Sequence, residues 1–228
     1  MTPLQENFEY IQNQIQETAL AGGRDPAAIT LIGVTKHKSA DVVEAAIQAG
    51  CTHLGENYVQ EAMEKIEKLG KDRACWHFIG HLQSNKARFA VQYFDLIHTV
   101  DKVKLAREID KQAAKIGKRQ KILLQVNIGQ EDTKSGVGIK EAITLAREMS
   151  RFENLSLDGL MCMPPYFDDP EKARVYFQKL VQIQKEIMGA GIESVEHLSM
   201  GMSNDFRVAI EEGSTLVRVG TAIFGSRE

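Results

Sequence analysis

The sequence predicts an α/β protein built as a single (β/α)8 barrel of the TIM type, with an extra helix at its N-terminus. Eight short apolar runs recur along the 228 residues, each separated from the next by a segment of helical period. The connections between runs are long enough for right-handed crossovers, which lets the strands lie parallel. An open doubly wound sheet is the alternative; against it, no Gly-x-Gly-x-x-Gly loop follows the first strand.

Each element carries its own signal. Thr2 and Gln5 make a capping box with Pro3 in the first helical position, and Leu4, Phe8, Ile11, Ile15 and Ala19 follow at helical spacing until Gly22 and Gly23 stop the helix. Residues 29–36 form the first strand. Ser39 caps a helix whose apolar face is Val42, Val43, Ala46 and Ile47, ending at Gly50. The second strand, 53–57, leads into a helix reaching Leu69. The third, 75–81, precedes a helix carrying Ala87, Phe89 and Val91. The fourth, 96–100, passes to Asp101 as a cap and a helix through Ile116. The fifth is 121–128, and its loop, 129–138, is the most polar in the chain. A helix with Ala142, Leu145, Ala146 and Met149 leads to the sixth strand, 157–163, closed by Pro164 and Pro165. Asp169 and Pro170 open a long helix presenting Phe177, Leu180, Val181 and Ile187. The seventh strand is 195–199 and the eighth 216–220, continuing into 222–225.

With three residues left after Gly225, no eighth helix is expected, and the N-terminal helix is expected to cover that flank. Residues 1–228 then make one domain. A composition of 43% hydrophobic and 26% charged residues suits a soluble globular protein. A formal charge of −3 gives no reason to expect nucleic acid or a membrane as partner, so any anion site must be local. No apolar stretch approaches the roughly 20 residues of a membrane helix, and the N-terminus does not read as a secretory signal. Cys51, Cys75 and Cys162 are odd in number and widely spaced. They fit neither a disulfide framework nor a paired metal motif, and read as core or half-buried residues of a reducing cytoplasm.

In a β/α barrel the loops at the carboxyl ends of the strands carry function, and strand residues alternate between interior and helix layer. Counting by two puts Ile32, Val34 and Lys36 on one face of the first strand and Leu216, Arg218 and Gly220 on one face of the eighth. If that face is the interior, Lys36 and Arg218 both point into the barrel mouth. Burial and the neighbouring guanidinium then favour a neutral amine able to condense with a carbonyl. The alternative is a strand-end lysine reaching into water. Residues 199–203, leading into a helix near Asn204, and 220–225 form two loops rich in glycine and hydroxyls after the seventh and eighth strands, where barrels often hold phosphate. Either loop taken singly is a turn.

His77 and His81 are four apart, a chelate on a helix but about 13 Å apart on a strand. Trp76, Phe78, Ile79 and Gly80 favour strand, so no metal is expected. His81, at the strand's end, can approach a ligand, while His37, His53, His98 and His197 read as core or rim residues. Glu61, Glu64 and Lys65 read as a solvated helix face. No acid pair at hydrolase spacing and no Ser-His-Asp order stands out. Asn57 ends the second strand as a donor beside Lys36, or as a turn residue.

Six segments carry a resemblance: 34–36 (VTK), 53–61 (HLGENYVQE), 76–86 (WHFIGHLQSNK), 159–163 (GLMCM), 198–205 (LSMGMSND) and 217–225 (VRVGTAIFG). In this order, and from end to end, the chain resembles the pyridoxal phosphate homeostasis protein family, whose members are alanine racemase N-terminal-domain-like. The resemblance implies a fold-type III barrel for pyridoxal 5′-phosphate (PLP), with Lys36 forming the internal aldimine. It implies that Ser203 and the backbone at Gly220 and Thr221 cradle the phosphate, with Met202 contributing backbone beside them. Arg218 resembles the arginine that faces the pyridine nitrogen in alanine racemases, and Asn57 and His81 line the cofactor's surroundings. A guanidinium cannot accept the pyridine proton, so such a pairing weakens the cofactor as an electron sink.

The implied function is that of a cofactor-holding protein in vitamin B6 and amino-acid homeostasis, not an enzyme. PLP would be bound reversibly and handed on, with PLP-dependent apo-enzymes or a regulatory protein as candidate partners and a monomer as the expected state. An open mouth suits exchange, because catalysis usually needs water excluded. A racemase adds a second base on the opposite face and a β-domain that closes the site. Of the five tyrosines only Tyr58 and Tyr166 fall near the mouth, neither with an assignable catalytic role. An amino-acid racemase-like fold-type III PLP enzyme is the alternative, and a Schiff-base aldolase on a sugar phosphate is a third reading.

Overall fold

Thr2 and Gln5 start the first helix by capping each other: Thr2 Oγ1 accepts from Gln5 N, and Gln5 Oε1 accepts from Thr2 N at 2.8 Å. The helix they open, α1 (Pro3–Ala21), buries Phe8, Ile11, Ile15 and Ala19 along one stripe. The structure is a computed structural model and describes residues 2–131 and 134–225. Residues 132 and 133 of the polar loop after the fifth strand, and 226–228, lie outside the described residues.

The strands are β1 (Thr30–Val34), β2 (His53–Glu56), β3 (Cys75–Phe78), β4 (Leu96–Val100), β5 (Gln120–Val126), β6 (Leu155–Cys162), β7 (His197–Ser199) and β8 (Leu216–Val219). They pair in sequence order, all parallel, and β1 closes on β8, giving the expected barrel. The helices that follow α1 are α2 (Ala40–Gln48), α3 (Val59–Leu69), α4 (Ala87–Tyr93), α5 (Val103–Lys115), α6 (Ala142–Met149), α7 (Arg174–Gly189), α8 (Phe206–Glu211) and α9 (Thr221–Phe224). Among the described residues no helix is long and apolar enough to cross a membrane.

Several strand bounds shift, the first strand stopping at Val34 so that Lys36 lies in the turn after it, and four further details differ from the expected elements. Asp101 does not cap α5; Lys102 occupies that position, and the Asp101 carboxylate accepts from Gly136 N at 3.1 Å, tying β4 to the loop after β5. The third strand stops at Phe78, because Gly80 passes so close to Asn57 that a Cβ there would lie 2.0 Å from Asn57 O. His81 therefore belongs to a loop and not to a strand end. Asp169 does cap, but it opens a short 3-10 turn, Pro170–Ala173, that precedes α7. After β8 the chain forms the one-turn helix α9 where none was expected, Gly220 O accepting from both Ile223 N and Phe224 N before Gly225 leaves with φ +77°.

As expected, α1 fills the flank next to the closing strands. Asn7 Nδ2 donates to Ile223 O at 3.2 Å, and beyond the helix Arg24 Nη1 donates to Ile210 O at 2.5 Å. Among the described residues two apolar cores result. The larger lies between strands and helices; the smaller fills the barrel with Ile32, Leu96, Leu123, Met161 and Leu216. Ile32 and Leu216 are the inward positions read from the alternation, so Arg218, two residues past Leu216, also points inward. The interior is not purely apolar: His77, His98 and Ser199 are buried there as well.

Candidate functional site

The carboxyl ends of the strands surround a cavity of about 550 Å³. Lys36, Asn57, Met202, Ser203, Arg218, Gly220 and Thr221 all line it. The remaining predicted residue, His81, is exposed and stands outside, bordering a separate depression of about 200 Å³ that shares Asn57. Its Nδ1 lies 3.4 Å from Ser135 Oγ.

Lys36 stands in the turn two residues beyond the end of β1 and lines the cavity. The backbone on both sides of it is held by a cluster outside the barrel wall. Lys65, on α3, donates to Thr35 O (2.7 Å), Glu56 Oε1 (2.7 Å) and Glu61 Oε1 (2.6 Å). Thr35 Oγ1 also donates to Glu56 Oε1 at 2.7 Å. On the other side, His37 N donates to Glu61 Oε1 at 2.6 Å, fixing His37 in the left-handed region at φ +62°. The expected solvated face at Glu61 and Lys65 is thus corrected: Lys65 is 5% exposed and Glu56 fully buried, because α3 docks this side onto β2. Burial raises the Glu56 carboxyl above its ordinary range, and Lys65 opposes that rise.

Arg218 is buried on β8. Its Nη1 donates to Ser199 Oγ at 2.5 Å and its Nη2 to Cys162 O at 3.0 Å, while its backbone N donates to Gly201 O. Burial pushes its pKa below the usual value, yet a guanidinium remains charged.

The loops after β7 and β8 interlock. Ser203 Oγ accepts from Gly220 N at 3.3 Å and lies 3.2 Å from Thr221 Oγ1. Gly201 turns the first loop at φ +91°, where a Cβ would come within 2.6 Å of Ala209 Cβ, so no larger residue fits without movement. Met202 N donates to Asp205 Oδ1 at 2.7 Å, which braces the same turn. The result is a pair of hydroxyls and adjacent backbone facing the cavity. Among the described residues Asn57 Oδ1 is buried with no hydrogen-bond partner, at a residue that lines the cavity.

Sequence reasoning placed Tyr166 near the mouth but missed that Met163 and Phe167 join it in the cavity wall as an apolar lip. The Pro164–Pro165 break after the sixth strand marks where that lip begins. It also missed that His53, Cys75 and His77 bring their ligand atoms within 4.8 Å of one another, a grouping made by strand register and not by spacing along the chain. All three cysteines are free thiols.

The parallel barrel belongs to a known class of protein: the model of the family described as alanine racemase, N-terminal domain, aligns with residues 4–228. The chain is 42% identical over 232 residues to the pyridoxal phosphate homeostasis protein of Vibrio alginolyticus, covering 100% of this chain and 99% of that one. The structure of PipY from Synechococcus elongatus PCC7942 with PLP bound superposes with a TM-score of 0.82 at 35% identity, covering 92% of this chain and 100% of that one. An unknown protein from Bifidobacterium adolescentis superposes with a TM-score of 0.92 at 32% identity, covering 97% and 94%. The chain belongs to the pyridoxal phosphate homeostasis protein family.

Proposed function

We propose that this protein binds pyridoxal 5′-phosphate in the 550 Å³ cavity and holds it for vitamin B6 and amino-acid homeostasis. The observation that carries the reading is the meeting of Lys36, Arg218 and the Ser203–Gly220–Thr221 loops on one cavity wall. The cavity is of the size that takes a small phosphorylated ring compound. PLP supplies an aldehyde that a primary amine captures reversibly, a phosphate and a basic ring nitrogen.

Each residue has a part in this reading. Lys36 is the capturing amine, its backbone held by Thr35 and His37 contacts to Lys65 and Glu61. Ser203, Thr221 and the backbone at Gly220 hold the phosphate, with Met202 beside them. Arg218 presents donors towards the ring nitrogen and cannot accept a proton from it. Asn57 offers its unpartnered Oδ1 to the bound molecule, and His81 stands further out at the rim.

We read the protein as a holder of PLP and not as an enzyme. A mouth open to solvent suits loading and release, because catalysis usually needs water excluded. Tyr166 lines the cavity and Tyr58 borders the neighbouring depression, and at 75% and 51% exposure neither is set as a buried base across from Lys36. The naming of the relatives as homeostasis proteins agrees with this. Residues 1–228 act as one binding unit, a monomer in a reducing cytoplasm that suits three free thiols, with apo-enzymes or a regulatory protein receiving the cofactor.

The test is borohydride reduction of the PLP-loaded protein followed by peptide mapping, with a racemase assay on the same sample. The adduct is expected on Lys36, with no sustained formation of D-isomer from single L-amino acids. An adduct on another lysine defeats the site, and steady turnover defeats the holding role.

A further inference from the structure

Three histidines on consecutive strands touch end to end through the barrel. His53 Nδ1 lies 2.9 Å from His77 Nε2, His77 Nδ1 lies 2.9 Å from His98 Nε2, and His98 Nδ1 lies 2.8 Å from Ser199 Oγ. Ser199 Oγ is also the acceptor for Arg218 Nη1. The chain begins at the amino ends of the strands, where half-buried His53 borders a second cavity of about 510 Å³ under α1. It ends at the mouth, on the arginine that lines the first cavity.

Counting donors gives the chain a direction. A guanidinium only donates, so Ser199 receives on that side and has a single hydrogen to give. Of the two partners at its Oγ, only His98 can take that hydrogen. His98 then carries its own proton on Nε2 and donates to His77 Nδ1. His77 carries its proton on Nε2 and donates to His53 Nδ1. The opposite polarity would leave the Ser199 hydroxyl hydrogen without either partner in a fully buried place. Burial, followed by the charge of neighbouring imidazoles, lowers the pKa of His77 to about 3, and burial first, then His77 and Arg218, hold His98 well below its ordinary value. The two buried rings are therefore neutral, and what passes along them is orientation, not a stored proton.

We propose that Ser199, His98 and His77 are positioning residues, a one-way hydrogen-bond relay that pins Arg218 by its Nη1 and directs its remaining donors to the cavity. With Nη2 held by Cys162 O, the guanidinium plane has two fixed corners. The use of this plane against a ring nitrogen rests on the PLP reading above; the polarity of the relay does not. The relay also bears on the cluster of His53, Cys75 and His77, a donor set suited to zinc. A metal on His77 Nε2 needs the proton on Nδ1, the reverse of the tautomer that Arg218 imposes.

The test uses the full chain, free of cofactor, labelled with ¹⁵N-histidine. Long-range proton–nitrogen correlations are expected to show the Nε2–H tautomer at His53, His77 and His98. Ser199→Ala should convert His98 and His77 to tautomer mixtures, and Ser199→Thr, which keeps the hydroxyl, should restore the single form. Nδ1–H at His98 in the unaltered protein, or a pattern unchanged by Ser199→Ala in a protein with wild-type circular dichroism, overturns the relay. So does stoichiometric zinc binding from zinc chloride that turns His77 to Nδ1–H. In PLP-loaded protein, Ser199→Ala should shift the cofactor absorption maximum, with Ser199→Thr returning it; an unshifted maximum overturns the positioning of Arg218. Failure of the unaltered protein to take up PLP would defeat the function proposed above and leave the tautomer result standing.

Discussion

Lys65 Nζ lies 2.7 Å from Glu56 Oε1 with both side chains out of water, and the same ammonium holds Thr35 O, the carbonyl just before Lys36. A buried ion pair is weak evidence for stability, since its desolvation can cancel its attraction. Its place is more informative than its energy. Through Thr35 on one side and Glu61 with His37 on the other, one ammonium governs the backbone that carries Lys36.

Removing that ammonium should be costly, because Glu56 would be left buried and unpaired. Lys65→Met is expected to lose about 3–5 kcal/mol of stability. Urea unfolding measures it, and a loss under about 1 kcal/mol would mean the cluster relaxes without its cation.

The buried histidines predict acid sensitivity. His77 has a folded pKa of about 3 against an ordinary 6.5. The folded value is the lower, so the unfolded chain binds protons first. Stability present above pH 6.5 is therefore lost as pH falls towards 3, by about 1.4 kcal/mol per unit for each such ring. His77→Gln should flatten the fall in the urea midpoint between about pH 6 and pH 4. A slope as steep as that of the unaltered protein would contradict this.

The thiols should be inert in the folded protein. Burial raises Cys51 and Cys75 from 9.0 to about 11 and Cys162 to about 12. Two units less acidic, or three for Cys162, means a thiolate fraction lower by on the order of 100-fold, or 1000-fold for Cys162, at neutral pH. Reaction with a disulfide reagent should be slow until denaturant is added; rapid native labelling of any of the three would count against the packing around it.

Three substitutions separate the parts of the proposed PLP site. Lys36→Ala should abolish the reducible adduct while leaving weak binding through the loops. Ser203→Ala removes a hydroxyl offered to a charged group, worth about 1.5–3 kcal/mol, so affinity should fall by about 10- to 100-fold in a spectroscopic titration. Arg218→Glu should alter the spectrum of the bound cofactor. Unchanged affinity in the second, or an unchanged spectrum in the third, would remove that residue from the site.

The sequence by itself pointed to the barrel and the order of its strands, and it put Lys36 and Arg218 on matching strand faces whose inward direction it left open. Those features follow from local periodicity: apolar runs of strand length, helical spacing between them, and side chains that alternate every two residues. The glycines and hydroxyls of 199–203 and 220–225 were legible for the same reason, since loop chemistry is written in consecutive residues.

Only the tertiary structure decided which inward side chains meet. His98 and Ser199 are 101 residues apart, and nothing in either neighbourhood names the other. His53, His77 and His98 each sit at an inward position of successive strands, a signal present in the sequence, but their end-to-end contact depends on strand stagger that short-range patterns do not contain. Lys65 shows the same limit on a helix: a Glu61–Lys65 pair four residues apart is the ordinary mark of a wet face. It became an interior clamp because α3 lies against β2, where the buried carboxylate of Glu56 waited for a cation.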